Sequence, residues 1–72
     1  MTATQTQITA DTITDDQIEE LMAEAGAHGD EEQADICRLA LGRRTVRAWN
    51  MTPYGARIRC AAVIAEAQAA AE

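Results

Sequence analysis

Residues 13–41, ITDDQIEELMAEAGAHGDEEQADICRLAL, decide the fold, because they carry the start signal of a helix twice in succession. Thr14-Asp15-Asp16-Gln17 is a capping box: the Thr14 hydroxyl is placed to accept the amide of the third helical residue, and Gln17 to reach back to the cap. Ile13 before the cap and Ile18 at the fourth helical position are spaced as a hydrophobic staple. Asp15 and Asp16 place negative charge at the positive end of the helix. Ile18, Leu21, Met22 and Ala25 then follow the i, i+3, i+4, i+7 rule of an amphipathic helix, with Gly26 or Gly29 as its stop. Asp30-Glu31-Glu32-Gln33 repeats the device after a connection of only about two to four residues, which forces two antiparallel neighbours. Ala34, Cys37, Ala40 and Leu41 make one stripe, widened by Ile36 and Leu39, and Gly42 is the expected C-cap. The spacing predicts helices over 15–27 and 31–41.

Working outward, residues 43–51 form an Arg-rich connector, in which the i, i+3 pair Val46 and Trp49 suggests a helical turn covering the open end of the core. Thr52-Pro53 is a cap followed by proline at the first helical position, where the missing N–H costs nothing. A third helix is expected over 53–70, with Tyr54, Ile58, Ala61 and Ala65 on its inner face and Cys60, Ile64 and Ala67 beside them. Residues 1–12, rich in Thr, Gln and Ala, are expected to be a flexible arm that Ile8 anchors, leaving 13–72 as one helical domain. The expected class is therefore all-α: a small three-helix domain made of an antiparallel αα-hairpin and a third, Ala-rich helix.

The chain has 72 residues, no Phe, and only Trp49 and Tyr54 as aromatics. A domain of this size buries only about 60% of its unfolded surface. Its large apolar side chains reduce to Ile8, Ile13, Ile18, Leu21, Met22, Ile36, Leu39, Leu41, Val46, Trp49, Met51, Tyr54, Ile58, Val63 and Ile64. So thin a core predicts a homodimer or a partner that completes it.

Charge is divided as sharply as structure. Ten of the twelve acids lie before residue 36, and all six arginines lie after it. Asp15, Asp16, Glu19, Glu20 and Glu24 gather on the outer face of the first helix, and Glu31, Glu32 and Asp35 extend the patch. Five carboxylates over about 15 Å approach the one charge per ~3.4 Å of a nucleic-acid strand, which permits mimicry of that strand. Arg43, Arg44 and Arg47, interleaved with Trp49 and Tyr54, suit either a protein hot spot or single-stranded nucleic acid. The net charge of −6 argues against direct nucleic-acid binding as the main role.

Chemistry has little purchase here. His28 stands alone in a Gly-rich turn, and paired carboxylates on an open helix lack the apolar pocket that separates acid and base roles. No catalytic, cofactor-binding or metal-binding residue is expected, and the chain reads as a non-enzyme. Cys37 and Cys60 sit among Ala, Ile, Leu and Val and are expected as reduced, buried hydrophobes in preference to a disulfide, and with His28 they make only three unpaired ligands for zinc. The opening MTATQTQITA has no signal-peptide pattern, and no stretch approaches the ~20 apolar residues of a membrane span, so a cytoplasmic protein of a bacterial host cell is expected.

The stretch from Ala25 to Leu41 is similar to the turn and second helix of a tetratricopeptide unit, a common αα-hairpin solution. The wider pattern, Ile13-Thr14-Asp15 with Gln17-Ile18 and Leu21, then Glu24-Ala25, Gly29-Asp30, Ile36-Cys37, Ala40-Leu41 and Cys60-Ala61 with Val63-Ile64-Ala65, resembles short uncharacterised helical proteins of phages, plasmids and other mobile elements of GC-rich bacteria. It covers about 13–41 and 56–68, positions of caps and core. The resemblance implies the helical fold and the genomic setting and supplies no active site; together with the small size and the acidic patch it points to a small acidic protein-binding inhibitor that blocks a host nucleic-acid-handling or defence complex, in the manner of an anti-CRISPR protein. Two other readings stand beside it: an Arg-rich nucleic-acid-binding or regulatory protein, and a structural self-assembling module.

Overall fold

The computed structural model describes residues 8–71, which contain three helices and no strand: α1 (Asp15–Ala27), α2 (Glu31–Ala40) and α3 (Pro53–Ala70). The first cap forms as the sequence dictates. Gln17 N–H donates to Thr14 Oγ1 at 3.1 Å, and Thr14 N–H donates to Gln17 Oε1 at 2.8 Å. Ile13 and Ile18, the two halves of the staple, are both buried.

Both helices of the hairpin end in the same way. Asp30 N–H donates to Ala25 O and Gly29 N–H to Gly26 O at the end of α1, while Arg43 N–H donates to Arg38 O and Gly42 N–H to Leu39 O at the end of α2. This paired arrangement needs a left-handed residue after the C-cap, and Gly29 and Gly42 supply it with φ of 73° and 74°. Of the two glycines expected to stop α1, Gly29 therefore does so and Gly26 remains helical.

The second cap departs from the expected capping box. Asp30 accepts from Gln33 N–H at 3.2 Å, but the Gln33 side chain does not return to the cap. Its amide instead turns inward and donates to Cys37 Sγ at 3.5 Å and to Cys60 Sγ at 3.8 Å. A part-buried amide hydrogen is best satisfied by an acceptor, and the two sulfurs are what the α2–α3 contact provides.

The central element is α2, which packs against α1 on one side and α3 on the other, while α1 and α3 meet only slightly. The core is Ile13, Ile18, Ile36, Cys37, Ala40, Ala56, Cys60 and Ala61, with Ile8, Leu21, Met22, Leu39, Leu41, Trp49, Met51 and Ile64 partly buried around it. Small residues at 40, 56, 60 and 61 let α3 lie close on α2, as ridge-into-groove packing requires.

The face of α3 is as expected at Ala61 and Cys60 and rotated at its first turns. Its buried positions are Ala56, Cys60 and Ala61, whereas Tyr54 and Ile58, expected to point inward, are 53% and 51% exposed. Alanine and cysteine win the interface because only they permit the close approach, so the bulkier pair is turned to solvent. Thr52 caps α3 by accepting Gly55 N–H, with Pro53 next, as anticipated.

The connector is irregular rather than helical, and Val46 is fully outside the core. Its amides are committed elsewhere: Val46 N–H and Arg47 N–H both donate to the Asp35 carboxylate, so neither serves a helical turn. Of the arm expected over 1–12, residues 1–7 lie outside the described residues. Residues 8–12 belong to the folded body, where Ile13 N–H closes a turn on Thr9 O and Ala10 is buried. Arg57 ties this turn to α3 by donating to Ile13 O at 2.7 Å and Ala10 O at 3.4 Å.

Candidate functional site

Folding brings the acidic and basic halves of the chain into register. Arg43 of the connector grips Glu19 of α1 with both terminal guanidinium nitrogens, Arg47 pairs with Glu32 at 3.1 Å, Arg57 with Asp15 at 3.3 Å, and Arg38 with Asp35 at 3.2 Å. Glu19 holds Arg43 still more firmly in its charged form. Each exposed pair contributes only about 0–1 kcal/mol, so their consequence is electrostatic more than energetic. The divided charge of the sequence closes on itself, and among the described residues only Arg44 and Arg59 have no acidic partner within salt-bridge distance.

Asp35 was expected on the contact surface and is instead 1% exposed. It is the anchor of the connector. Oδ1 accepts Val46 N–H at 2.8 Å and Arg38 Nη1 at 3.2 Å, and Oδ2 accepts Trp49 Nε1 at 2.7 Å and Arg47 N–H at 2.9 Å. Burial pushes its carboxyl up, but the hydrogen bonds from Val46, Arg47, Trp49 and Arg38 together outweigh burial and hold it at about 2. Trp49, expected as a partner anchor, thus has its polar edge engaged inside the molecule and its ring against the core. Tyr54 remains exposed, with its hydroxyl donated to Asp11 Oδ1 at 3.2 Å, and the Asp11 charge raises its phenol.

The surface left for a partner is narrower than the sequence suggests. With Asp15 and Glu19 paired, the outer acids of α1 reduce to Asp16, Glu20 and Glu24, one per helical turn, with Glu31 exposed at the start of α2. Their spacing is about 6 Å along the axis, against ~3.4 Å per phosphate in a nucleic-acid strand. The row is too sparse to copy a phosphate backbone.

Beside the row lies a groove of about 390 Å³ between α1 and the C-terminal half of α3. Leu21, Val63, Ile64 and Ala67 form its apolar lining, and Glu20 and Glu24 stand at its edge. The groove lies where α1 and α3 meet only slightly. Sequence periodicity placed these residues on helices but carried no signal that α1 and α3 would leave a gap between them.

The comparisons add no relative. No family model, curated protein or solved structure matches this chain. The site must therefore be read from its own chemistry. Among the described residues no three His, Cys, Asp or Glu side chains converge as a metal site requires, and His28 is an exposed C-cap of α1. No helix among the described residues is long and apolar enough to cross a membrane.

Proposed function

We propose that this chain is a non-enzymatic protein-binding module whose α1–α3 groove receives a basic amphipathic segment of a partner protein. The observation that carries this reading is the juxtaposition of the apolar lining at Leu21, Val63, Ile64 and Ala67 with the unpaired carboxylates Glu20 and Glu24 at its edge. Acids repeated once per turn match Lys or Arg repeated at i, i+4 on a partner helix, while the apolar lining accepts that helix's hydrophobic stripe. Basic helices of this kind occur in nucleic-acid-handling proteins among other classes. The concrete form of the proposal is a phage or mobile-element inhibitor, anti-CRISPR-like, that occludes a host nucleic-acid-handling complex by occupying its basic surface. The genomic setting rests on the sequence resemblance alone.

The test is affinity capture from a bacterial lysate treated with nuclease, run in parallel with wild type and with Glu20→Lys/Glu24→Lys. A nucleic-acid-processing complex captured by wild type and lost with the double variant supports the proposal. Capture that is indifferent to the charge reversal overturns it.

A second reading, self-assembly, draws on α3. Tyr54 and Ile58 are exposed, and Arg59 and Glu66 lie two turns apart on either side of Ala62. Antiparallel pairing of two α3 helices about the Ala62–Val63 peptide brings each Arg59 opposite the partner copy's Glu66, in the self-complementary manner of a two-fold dimer. Melting that rises with protein concentration and is lost on Arg59→Glu supports this reading, and a concentration-independent midpoint opposes it.

A further inference from the structure

We infer that Cys37 and Cys60 form a reversible oxidation site, a buried dithiol that hydrogen peroxide converts to a disulfide locking α3 onto the αα-hairpin. The two sulfurs are 3.8 Å apart at the centre of the α2–α3 contact, and neither cysteine has measurable exposure. Both are free thiols. They lie 23 positions apart in sequence and on different helices, so their approach is a product of the tertiary fold and not of a local motif.

Three features separate this pair from two cysteines that merely fill space. The sulfurs already touch, so bond formation requires side-chain rotation and a small closing of two helices whose contact is made by alanines. Gln33 aims its amide at both sulfurs instead of at its own helix cap, and a neutral amide can donate one hydrogen to each. The contact with Cys60, in which either thiol can donate, together with the Gln33 amide and the nearby Arg38 charge, favours the Cys37 thiolate over the effect of burial. Cys60 is pushed up by the same contact and by burial. Cys37, which shares α2 with Gln33 and Arg38, is therefore the nucleophile of the proposed step, and Cys60 is the thiol that resolves it.

The reaction balances with peroxide as the oxidant. The Cys37 thiolate displaces hydroxide from hydrogen peroxide to give a sulfenic acid, and the hydroxide takes up a proton to become water. The Cys60 sulfur then attacks the Cys37 sulfur, the S–O bond breaks, and the hydroxyl leaves as a second water with the Cys60 proton. Two thiols are oxidised by two electrons and one peroxide is reduced to two waters. Because both sulfurs are enclosed, peroxide enters when α3 opens locally from α2, which makes the step slow and sensitive to the stability of that contact.

The bond would close a loop through the connector and the first turns of α3. Loops of this length typically raise the melting midpoint of so small a domain by roughly 10–20 °C. The inference is independent of the proposed binding groove, which lies further along α3 toward its C-terminus and is lined by neither cysteine.

The experiment treats the reduced full chain with hydrogen peroxide at neutral pH, unfolds it in denaturant, and measures free thiols and intact mass. Loss of both thiols in a monomer lighter by two hydrogens, with a raised midpoint that dithiothreitol reverses, is the expected result. Retention of both thiols, gain of oxygen atoms at separate cysteines, or bonds only between chains overturns the inference. Cys37→Ala and Cys60→Ala should each abolish the monomeric product. Gln33→Leu tests the positioning role: it should slow oxidation about tenfold or less near pH 7 and move the rate profile to higher pH, whereas a merely structural role would leave the profile in place.

Discussion

The indole N–H of Trp49 donates to Asp35 Oδ2 at 2.7 Å, so the one tryptophan of the chain is fastened to the one charged side chain that is buried among the described residues. Around that bond the connector forgoes helical structure and folds onto α2. Replacing Asp35 by Ala leaves two backbone amides and an indole without their acceptor, and unsatisfied buried donors cost far more than their net bonds return. Asp35→Ala should lower the melting midpoint by about 10 °C or more, and Trp49→Phe, which keeps the ring packing, by about half as much. Thermal melts followed by far-ultraviolet circular dichroism check both. A midpoint unchanged in Asp35→Ala would remove the carboxylate from its anchoring role.

The same carboxylate makes stability depend on acid in a defined window. Its folded-state value of about 2 lies below the ordinary 3.8, so the folded form binds its proton less readily than the unfolded form. The stabilisation is complete above the unfolded value and is lost as pH falls from ~4 toward ~2. The difference in midpoint between wild type and Asp35→Asn should be constant above about pH 5 and should shrink steadily below pH 4. A difference that grows on acidification has the wrong sign and excludes this assignment.

Much of the fold was legible because its signals are local. Capping at Thr14 and Thr52, the left-handed glycines 29 and 42, and the staple of Ile13 with Ile18 depend on neighbours within a few residues, and all took the form the spacing demanded. Asp35 was misread because nothing near it in sequence announces its donors, which arrive from residues 46, 47 and 49. The face of α3 was read in part: the alanine-lined close approach, with Ala61 and Cys60 buried, is as expected, whereas Tyr54 and Ile58, placed on that face by the i, i+4 spacing, turn to solvent. The acidic patch was legible as composition but not as surface, because which acids meet Arg43, Arg47 and Arg57 is decided by tertiary geometry. The apolar groove had no sequence signal at all.

Glycines of opposite role should respond to alanine with opposite sign. Gly29 and Gly42 hold φ near +73° and +74° with open space where a Cβ would sit, so substitution there meets backbone strain alone. Each should cost about 1–2 kcal/mol. Gly26 has no such φ, lies within α1 and likewise has nothing near its Cβ position. Gly26→Ala should stabilise by about 0.5–1 kcal/mol through helix propensity and a less flexible unfolded chain. Urea denaturation of the three variants supplies the comparison, and three values of the same sign would contradict the assignment of Gly29 as the stop of α1.

Arg57 offers a test of whether residues 9–13 are a separable unit of the fold. Its side chain is only 25% exposed, and the guanidinium donates to the carbonyls of Ile13 and Ala10 and pairs with Asp15, so one side chain of α3 closes the turn that precedes α1. Charge-assisted bonds to carbonyls are worth about 1.5–3 kcal/mol, and Met at this position keeps the aliphatic stem while removing all three. In Arg57→Met the amides of Thr12 and Ile13, which donate to Thr9 O, should lose protection from hydrogen exchange by about tenfold or more. The amides of α2 and the body of α1 should change far less, since their bonds and the staple of Ile13 against Ile18 do not pass through the guanidinium. Equal loss of protection across all three helices would instead mean that the turn and the helical core open as one cooperative unit, with Arg57 a determinant of global stability.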